Sequence, residues 1–456
     1  MAGGRHHEED RYRERLLMEI TAADALTRTS RLVNEQFFAG AAESTRIGAA
    51  LPRLNVVVNC DAANAETENG QQVIINLALL VARMGIRVEL DLPEVPLLRP
   101  RPPLCREGLV SALIELGRDL VPDAEIAARG AGYPCLEFVI GDTPYLSPGV
   151  AVRVCGDEWS LELSNANTDV GCRWGDGLPF GAFAAAGAGA AEALRAALGP
   201  LAKLVGAPLQ VQPHRLEVGV SISCDLRDYF PELSAGVPEL GRLDAVSGGA
   251  IVSNAVAVLR GADASSQLRV IESDVLEASN LNRYYYSRGR EIMLPKTDHL
   301  ISQSDESFKI EGMRLRLEAE TLADVGALTD RVMVGVDHIP SRWLVQEAAP
   351  AWVGVGATQS LSTLVSSHRP AEPCAGCLHP RPLPADSEAA TISFVSFWAG
   401  LLLAMELLCE VEGQRPAAQS IYCEPFGYNG PHLMRLDVAA QPQCPVRCLA
   451  SRKRAA

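Results

Sequence analysis

Residues 242–274, RLDAVSGGAIVSNAVAVLRGADASSQLRVIESD, pass from an apolar run through a Ser-Gly-Gly turn into a helix-periodic stretch, then into a second run that ends in acids. Strand, glycine turn, helix and strand in that order form a β-α-β unit, which commits the chain to a parallel sheet. A similar order occurs earlier. LNVVVNC (residues 54–60) is a β-branched run, Asn69-Gly70 reads as a turn, QQVIINLALLVARMG as a helix ended by Gly85, and IRVELDLP as the next strand. The earlier unit carries no glycine pattern in its first turn, where a nucleotide-binding unit cradles phosphate.

At 456 residues the chain is too long for one compact core. Residues 8–40 have helical periodicity, so 1–45 form a leading helical segment. The Pro- and Gly-containing stretch DYFPELSAGVPELGR separates a first domain, 46–235, from a second, 236–456. Each half ends in a helix able to pack closely. One is built of small residues, LPFGAFAAAGAGAAEALRAALG (178–199). The other is apolar, FVSFWAGLLLAMELL (394–408), and reads as a buried helix too short to span a bilayer. We therefore expect an α/β protein of two Rossmann-like domains with mostly parallel sheets, although no residue-level repeat relates the halves.

Charge narrows the function. Lys and Arg total 41 against 56 Asp and Glu, a net −15, with no basic stripe to displace counterions from nucleic acid. The short basic tail SRKRAA reads as a solvated terminus. The opening MAGGRHHEEDRYRER lacks an apolar core, so the expectation is a cytoplasmic chain without membrane partners. There its twelve cysteines serve as thiols or metal ligands.

The stretch after the second β-α-β strand is the most informative. Glu272-x-Asp274 closes the strand, Ser-Asn280-Leu-x-Arg283 follows, then Lys296, and a later strand reaches Asp337 with Arg342 five residues on. An acid at the second strand's end suits ribose hydroxyls, and a turn at Gly248-Gly249 suits phosphates on helix N–H groups. Together these residues resemble the ThiF superfamily, the adenylating domain of ubiquitin-activating enzymes and of sulfur-carrier adenylyltransferases. The resemblance covers residues from near 240 to 450. It implies that Glu272 and Asp274 bind the ribose edge. It implies further that Asn280, Arg283 and Lys296 hold the triphosphate and that Asp337 holds Mg²⁺. Arg283, Lys296 and Asp337 are the implied catalytic group. The implied reaction is attack of a partner's carboxylate on the α-phosphorus of ATP, releasing pyrophosphate.

Cys374 and Cys377, in EPCAGCLHP, pair with Cys444 and Cys448, in QCPVRCLA. Four thiolates from two loops suit a structural Zn²⁺. Members of the resembling family carry zinc at this point, usually on two Cys-x-x-Cys pairs; here the second pair has one extra residue. His299 and His379 are read as surface or internally satisfied residues rather than ligands.

The sequence departs from the family in three places. Its Gly-x-Gly-Gly-x-Gly falls on Ser247, Gly249, Ala250 and Val252, so one glycine is kept and a side chain at Val252 threatens to crowd phosphate. LHPRPLPADSEAATISF (378–394) contains no cysteine for a thioester, and Cys423 reads as core. The family's N-terminal arginine has only loose counterparts in Arg11, Arg13 and Arg15. The implied partner is a small ubiquitin-like or sulfur-carrier protein, or a peptide. The implied assembly is a homodimer or a paired-domain chain in which the first domain is an inactive copy. The alternatives are a scaffold that binds the partner without turnover and, with less in its favour, an NAD-dependent oxidoreductase.

Overall fold

A computed structural model describes residues 19–147, 150–167, 177–210, 216, 219–234, 236–382 and 390–451. Arg11, Arg13 and Arg15 lie outside them. The described chain begins with packed helices, including α1 (Thr27–Phe37) and α2 (Ser44–Ala50). The first half then runs β1 (Asn55–Cys60), α3 (Glu68–Arg83), β2 (Arg87–Asp91), α4 (Leu109–Gly117), β3 (Ile126–Ala128), β4 (Leu136–Ile140), β5 (Ala151–Gly156), β6 (Ser160–Asn165), α5 (Phe180–Val205) and β7 (Ser221–Asp225). The second half runs β8 (Glu239–Val246), α6 (Ala250–Gly261), β9 (Ser265–Ile271), α7 (Lys296–Ile301), β10 (Phe308–Met313), β11 (Arg331–Val334), α8 (Ile339–Glu347), β12 (Trp352–Gln359), β13 (Ser362–His368), α9 (Ser393–Val411), β14 (Ser420–Glu424) and β15 (His432–Leu436).

The sheets have the orders β3-β2-β1-β4-β5-β6-β7 and β10-β9-β8-β11-β12-β13-β14-β15. In each, the first five strands are parallel and the later ones antiparallel. The expected pair of Rossmann-like, mostly parallel sheets is present. β1 owes its central place to Val56-Val57-Val58, buried on both faces as a parallel strand requires.

Asn69-Gly70 is not a turn. Thr67 caps α3, its hydroxyl accepting from the Gly70 N–H at 3.0 Å, so both residues lie in the first helical turn. Gly70 is there for packing: a Cβ would stand 1.9 Å from the Asn64 carbonyl oxygen. The small-residue helix α5 does what its composition predicts. Gly187 leaves room for Trp398 of α9, whose Nε1 lies 2.6 Å from where a Cβ would be. Helices α3, α5, α6 and α9 thus pack into a shared layer, and, against the expectation that the length rules out one core, a single apolar core runs through both halves. Helix α9 is, by length and composition, long and apolar enough to cross a membrane, but 89% of its apolar window is buried in this core. Ten described cysteines form no disulfide, whereas Cys155 is disulfide-bonded, against the expectation of thiols or metal ligands throughout.

Candidate functional site

In an open α/β sheet, ligands gather outside the carboxyl ends of the strands where the strand order reverses. In the second half that point lies between β8 and β11, and the turns following both strands meet there. Gly335 N–H donates to the Val246 carbonyl at 3.1 Å, which sets the Asp337 loop beside the glycine turn. β11 ends at Val334 rather than at Asp337, so Asp337 stands exposed in the turn before α8. Its carboxylate has no hydrogen-bond partner among the described residues.

Two of the expected residues converge on Gly248, and a third, Asp274, joins through Lys296. A Cβ there would lie 3.3 Å from Glu272 Cγ and 3.3 Å from Lys296 Cβ. Lys296, the first residue of α7, extends Nζ to Asp274 Oδ2 at 3.0 Å. Burial works against the ammonium charge, but Tyr284, Glu272 and Asp274 outweigh it and hold the pKa above the ordinary lysine value. Burial likewise acts to raise Asp274, and Lys296 overrides it, so its carboxyl lies below the usual range.

Arg283 joins through a residue the sequence reading missed. Its guanidinium carbon lies 5.3 Å from the Tyr284 ring centroid, and Lys296 Nζ lies 5.7 Å from the same centroid. Tyr284 thus has both cations within about 6 Å of its ring, a favourable range for an aromatic face. The signal was the Tyr284-Tyr285-Tyr286 run directly after Arg283. Arg283 is further fixed by donating to Ser279 O at 2.6 Å and Asn282 Oδ1 at 2.8 Å. Asn280 is buried, and its Oδ1 accepts from the Glu277 N–H at 3.2 Å, which shapes the turn ahead of Arg283.

The glycine turn is occupied by its own neighbours. Gly248 N–H donates to Glu272 Oε2 at 3.0 Å, and Gly249 N–H to the Ser247 hydroxyl at 2.9 Å. Glu272 also accepts from the N–H groups of Ser273 and Asp274, each at 2.9 Å. Ser247 sits at φ +100°, a conformation that glycine adopts freely and serine does not. Val252, in contrast, does not crowd the turn. It is fully buried, with Cγ2 3.1 Å from where a Cβ on Gly335 would stand, so it faces the sheet. The N–H groups of Ala250, Ile251 and Val252 open α6 and, like any first helical turn, have no intrahelical acceptor. Anions favour such a helix end.

Cys374, Cys377, Cys444 and Cys448 place all four sulfurs within 4.8 Å of one another. Individual Sγ separations are 3.3 Å for Cys374–Cys444, 3.6 Å for Cys377–Cys448 and 4.0 Å for Cys374–Cys377. Tetrahedral Zn–S bonds of about 2.3 Å require sulfurs roughly 3.8 Å apart, so the donor set fits zinc. Arg447 takes φ +53° inside the second pair, where the extra residue is accommodated. The knuckle braces the site. Gln346 of α8 accepts from the Ala375 N–H at 3.2 Å, and Trp343 donates to His379 O at 2.9 Å. Arg342 on the same helix donates to Val336 O at 2.9 Å; burial pushes its pKa down to about 10, with Asp337 opposing. His299 is buried and satisfied by Glu291 at 2.9 Å and Gln303 at 3.0 Å, and Cys423 is core.

Residues 247–446 match the family model described as ThiF family. An uncharacterized protein of Sinorhizobium fredii, y4jF, is 29% identical over 262 residues, 56% of this chain and 48% of that protein. The chain therefore spans about half the length of this relative. The sulfur carrier protein adenylyltransferase of Thermus thermophilus is 27% identical over 197 residues, 39% of this chain and 71% of that protein. Among solved structures, Escherichia coli MccB with AMPCPP and MccA superposes with a TM-score of 0.38 at 15% identity, covering 45% of this chain and 66% of that one.

Proposed function

Residues 247–446 being a ThiF family domain, we propose that the chain is an ATP-dependent adenylyltransferase that activates the C-terminal carboxylate of a small ubiquitin-like or sulfur-carrier protein, or of a peptide. The observation that carries this is the convergence of Lys296, Asp274, Glu272 and Gly248 on one strand-end, with Arg283 joined to Lys296 through Tyr284. A dinucleotide oxidoreductase has no use for two buried cations around that turn. The relative from Thermus thermophilus, a sulfur carrier protein adenylyltransferase, is in keeping with it.

In this reading Glu272 and Asp274 face the ribose, and Lys296 and Arg283 face the phosphates. The partner's carboxylate oxygen forms a bond to the α-phosphorus of ATP, and the bond from that phosphorus to the bridging oxygen of the β-phosphate breaks. The electron pair leaves with pyrophosphate. Lys296 and Arg283 are fixed before the reaction and offset the charge that accumulates on the leaving group, where electrostatic stabilisation acts most strongly. No protein nucleophile is needed. Asp337, a free exposed carboxylate at the switch point, suits Mg²⁺, which supplies charge neutralisation on phosphate oxygens when bound.

A second reading follows from the occupied turn. With Gly248 and Gly249 N–H groups already bonded to Glu272 and Ser247, a scaffold that holds the partner without turnover is the alternative. Calorimetric titration with Mg·ATP, on wild type and Asp337→Ala, separates the two. Micromolar binding weakened by the substitution is expected, followed by partner-dependent pyrophosphate exchange. A folded, zinc-loaded chain that binds no Mg·ATP would establish the scaffold.

A further inference from the structure

Arg83 closes α3 in the first half, yet its side chain is spent entirely on the second. It is 0% exposed. Its Nε donates to Tyr285 O at 2.7 Å, one terminal nitrogen to Leu281 O at 2.6 Å and Ser287 Oγ at 3.3 Å, and the other to Ser287 O at 2.8 Å. Residues 281–287 are irregular and, apart from half-buried Tyr286, buried, and buried carbonyls outside a ladder need donors from elsewhere. A planar guanidinium reaches three of them from three separate nitrogens, which the single nitrogen of a lysine ammonium does not have. Burial pushes its pKa down to about 9, so it stays charged at neutral pH, where the C-terminal end of α3 also favours a cation.

The segment that wraps Arg83 is the one that begins after Asn280 and contains Arg283 and Tyr284. Other first-half residues hold it too: Asn76 of α3 bonds the Tyr285 hydroxyl, and Thr29 of α1 accepts from Asn282 Nδ2 at 2.9 Å. We propose that Arg83 is a positioning residue for the nucleotide-binding turn, through which the first half sets the geometry of Arg283 and Tyr284. This rests on the adenylation reading above.

The fold supplies its own control. Arg260, in the last turn of α6, reaches the opposite way and donates to Pro102 O at 2.9 Å, in the first half's connection between β2 and α4. That connection is the counterpart of the β9–α7 connection, but it carries none of the implied nucleotide residues. Both arginines are buried across the same interface; only Arg83 bonds the backbone of the candidate segment, whereas Arg260 acts on it only through its charge near Tyr286.

The test compares full-length wild type with Arg83→Met, Arg83→Lys and Arg260→Met, reading Mg·ATP affinity by calorimetry and backbone hydrogen exchange over residues 280–287. Both Arg83 variants are expected to weaken Mg·ATP binding tenfold or more and to speed exchange in 280–287 by a similar factor. Arg260→Met is expected to stay within twofold of wild type in both. Arg83→Lys keeps the charge and serves if the methionine variant does not fold. Unchanged affinity and protection in a folded Arg83 variant would overturn the proposal, as would equal losses in Arg260→Met. If wild type binds no Mg·ATP, the adenylation reading fails on its own, and exchange decides: selective loss over 280–287 supports the assignment, and retained protection overturns it.

Discussion

The first half carries β3-β2-β1-β4-β5-β6-β7 and the second β10-β9-β8-β11-β12-β13-β14 with matching directions, yet the two differ at the strand ends, where open α/β sheets gather their ligands. In the second half a Ser-Gly-Gly turn opens α6. In the first, Asp61 stands at the same place. Its carboxylate accepts from Asn64 N–H at 2.8 Å and Asp142 N–H at 2.9 Å, so a negative charge fills the corner that phosphate would use. Gly141 seals it, since a Cβ there would come within 2.2 Å of both Asp61 Oδ2 and Asn64 Nδ2. Asp91 and Glu137 lean on a single cation, Arg129, at 3.1 Å and 3.5 Å. Among the described residues no helix stands between β4 and β5, where the second half has α8 with Arg342. One scaffold, built from similar apolar strands, therefore carries different strand-end residues in its two halves, and function lives in such residues and not in the fold.

The largest effect that would sharpen this contrast is in the knuckle, which has no counterpart among the described residues of the first half. Binding of structural zinc by thiolates stores roughly 10 kcal/mol. Cys374→Ser is expected to drop metal content from one zinc per chain to none and to unfold the knuckle. The exposed Cys105→Ser should change neither. Metal analysis and thermal melts check both. Next is the chemistry itself. Lys296→Ala and Asp337→Ala are each expected to slow partner-dependent pyrophosphate exchange by about 10²–10³-fold. Asp61→Ala, the matching change in the first half, should leave it within twofold. A comparable loss from Asp61→Ala would mean that the first half also binds nucleotide, and the contrast would be broken.

Acid should also distinguish the halves. His368 ends β13 fully buried, opposite Val353, and the same ladder position in the first half holds Asn165, opposite Val152. Burial pushes the His368 pKa down to about 4, against a hydrogen bond from its ring to Pro373 O. The unfolded chain protonates this group near pH 6.5 and the folded one does not until about 4. Stability is therefore complete above pH 6.5 and declines as pH falls toward 4, by roughly 3 kcal/mol if this group acts alone. His368→Asn, the first half's residue, should flatten that slope in denaturant titrations between pH 4 and 7. An unchanged slope would place the acid sensitivity elsewhere.

Both β-α-β units were legible because β-branched runs and glycine turns act locally. The acid-x-Asp, Ser-Asn-Leu-x-Arg and Lys spacing was legible because it recurs as a unit. What stayed hidden depends on contacts between distant segments. Asn69-Gly70 reads as a turn until Thr67 is seen to cap the helix ahead of it. Val252 reads as an obstacle until its side chain is found against Gly335. Tyr284 gains a role only when Arg283 and Lys296 meet on its ring, and Arg83 only when its helix is set against the other half. Glu272 reads as a ribose ligand, and the fold adds that it first holds its own turn.

The smallest effect concerns Ser247, where the second half has itself moved toward the first. Its hydroxyl takes the Gly249 N–H, as Asp61 takes Asn64 N–H in the other half, and it holds a φ of +100° to do so. Ser247→Gly removes that acceptor and relieves a backbone conformation worth about 1 kcal/mol. It also leaves the unfolded chain freer, which offsets part of the gain, so thermal stability should move by less than about 1 kcal/mol. Affinity is the sharper readout. With Gly249 N–H released, Mg·ATP should bind two- to fivefold more tightly, measured by calorimetry, because an anion then meets a free donor at the helix mouth. Weaker binding would instead make the Ser247 hydroxyl a ligand in its own right, and the turn would be a working variant rather than a partly closed one.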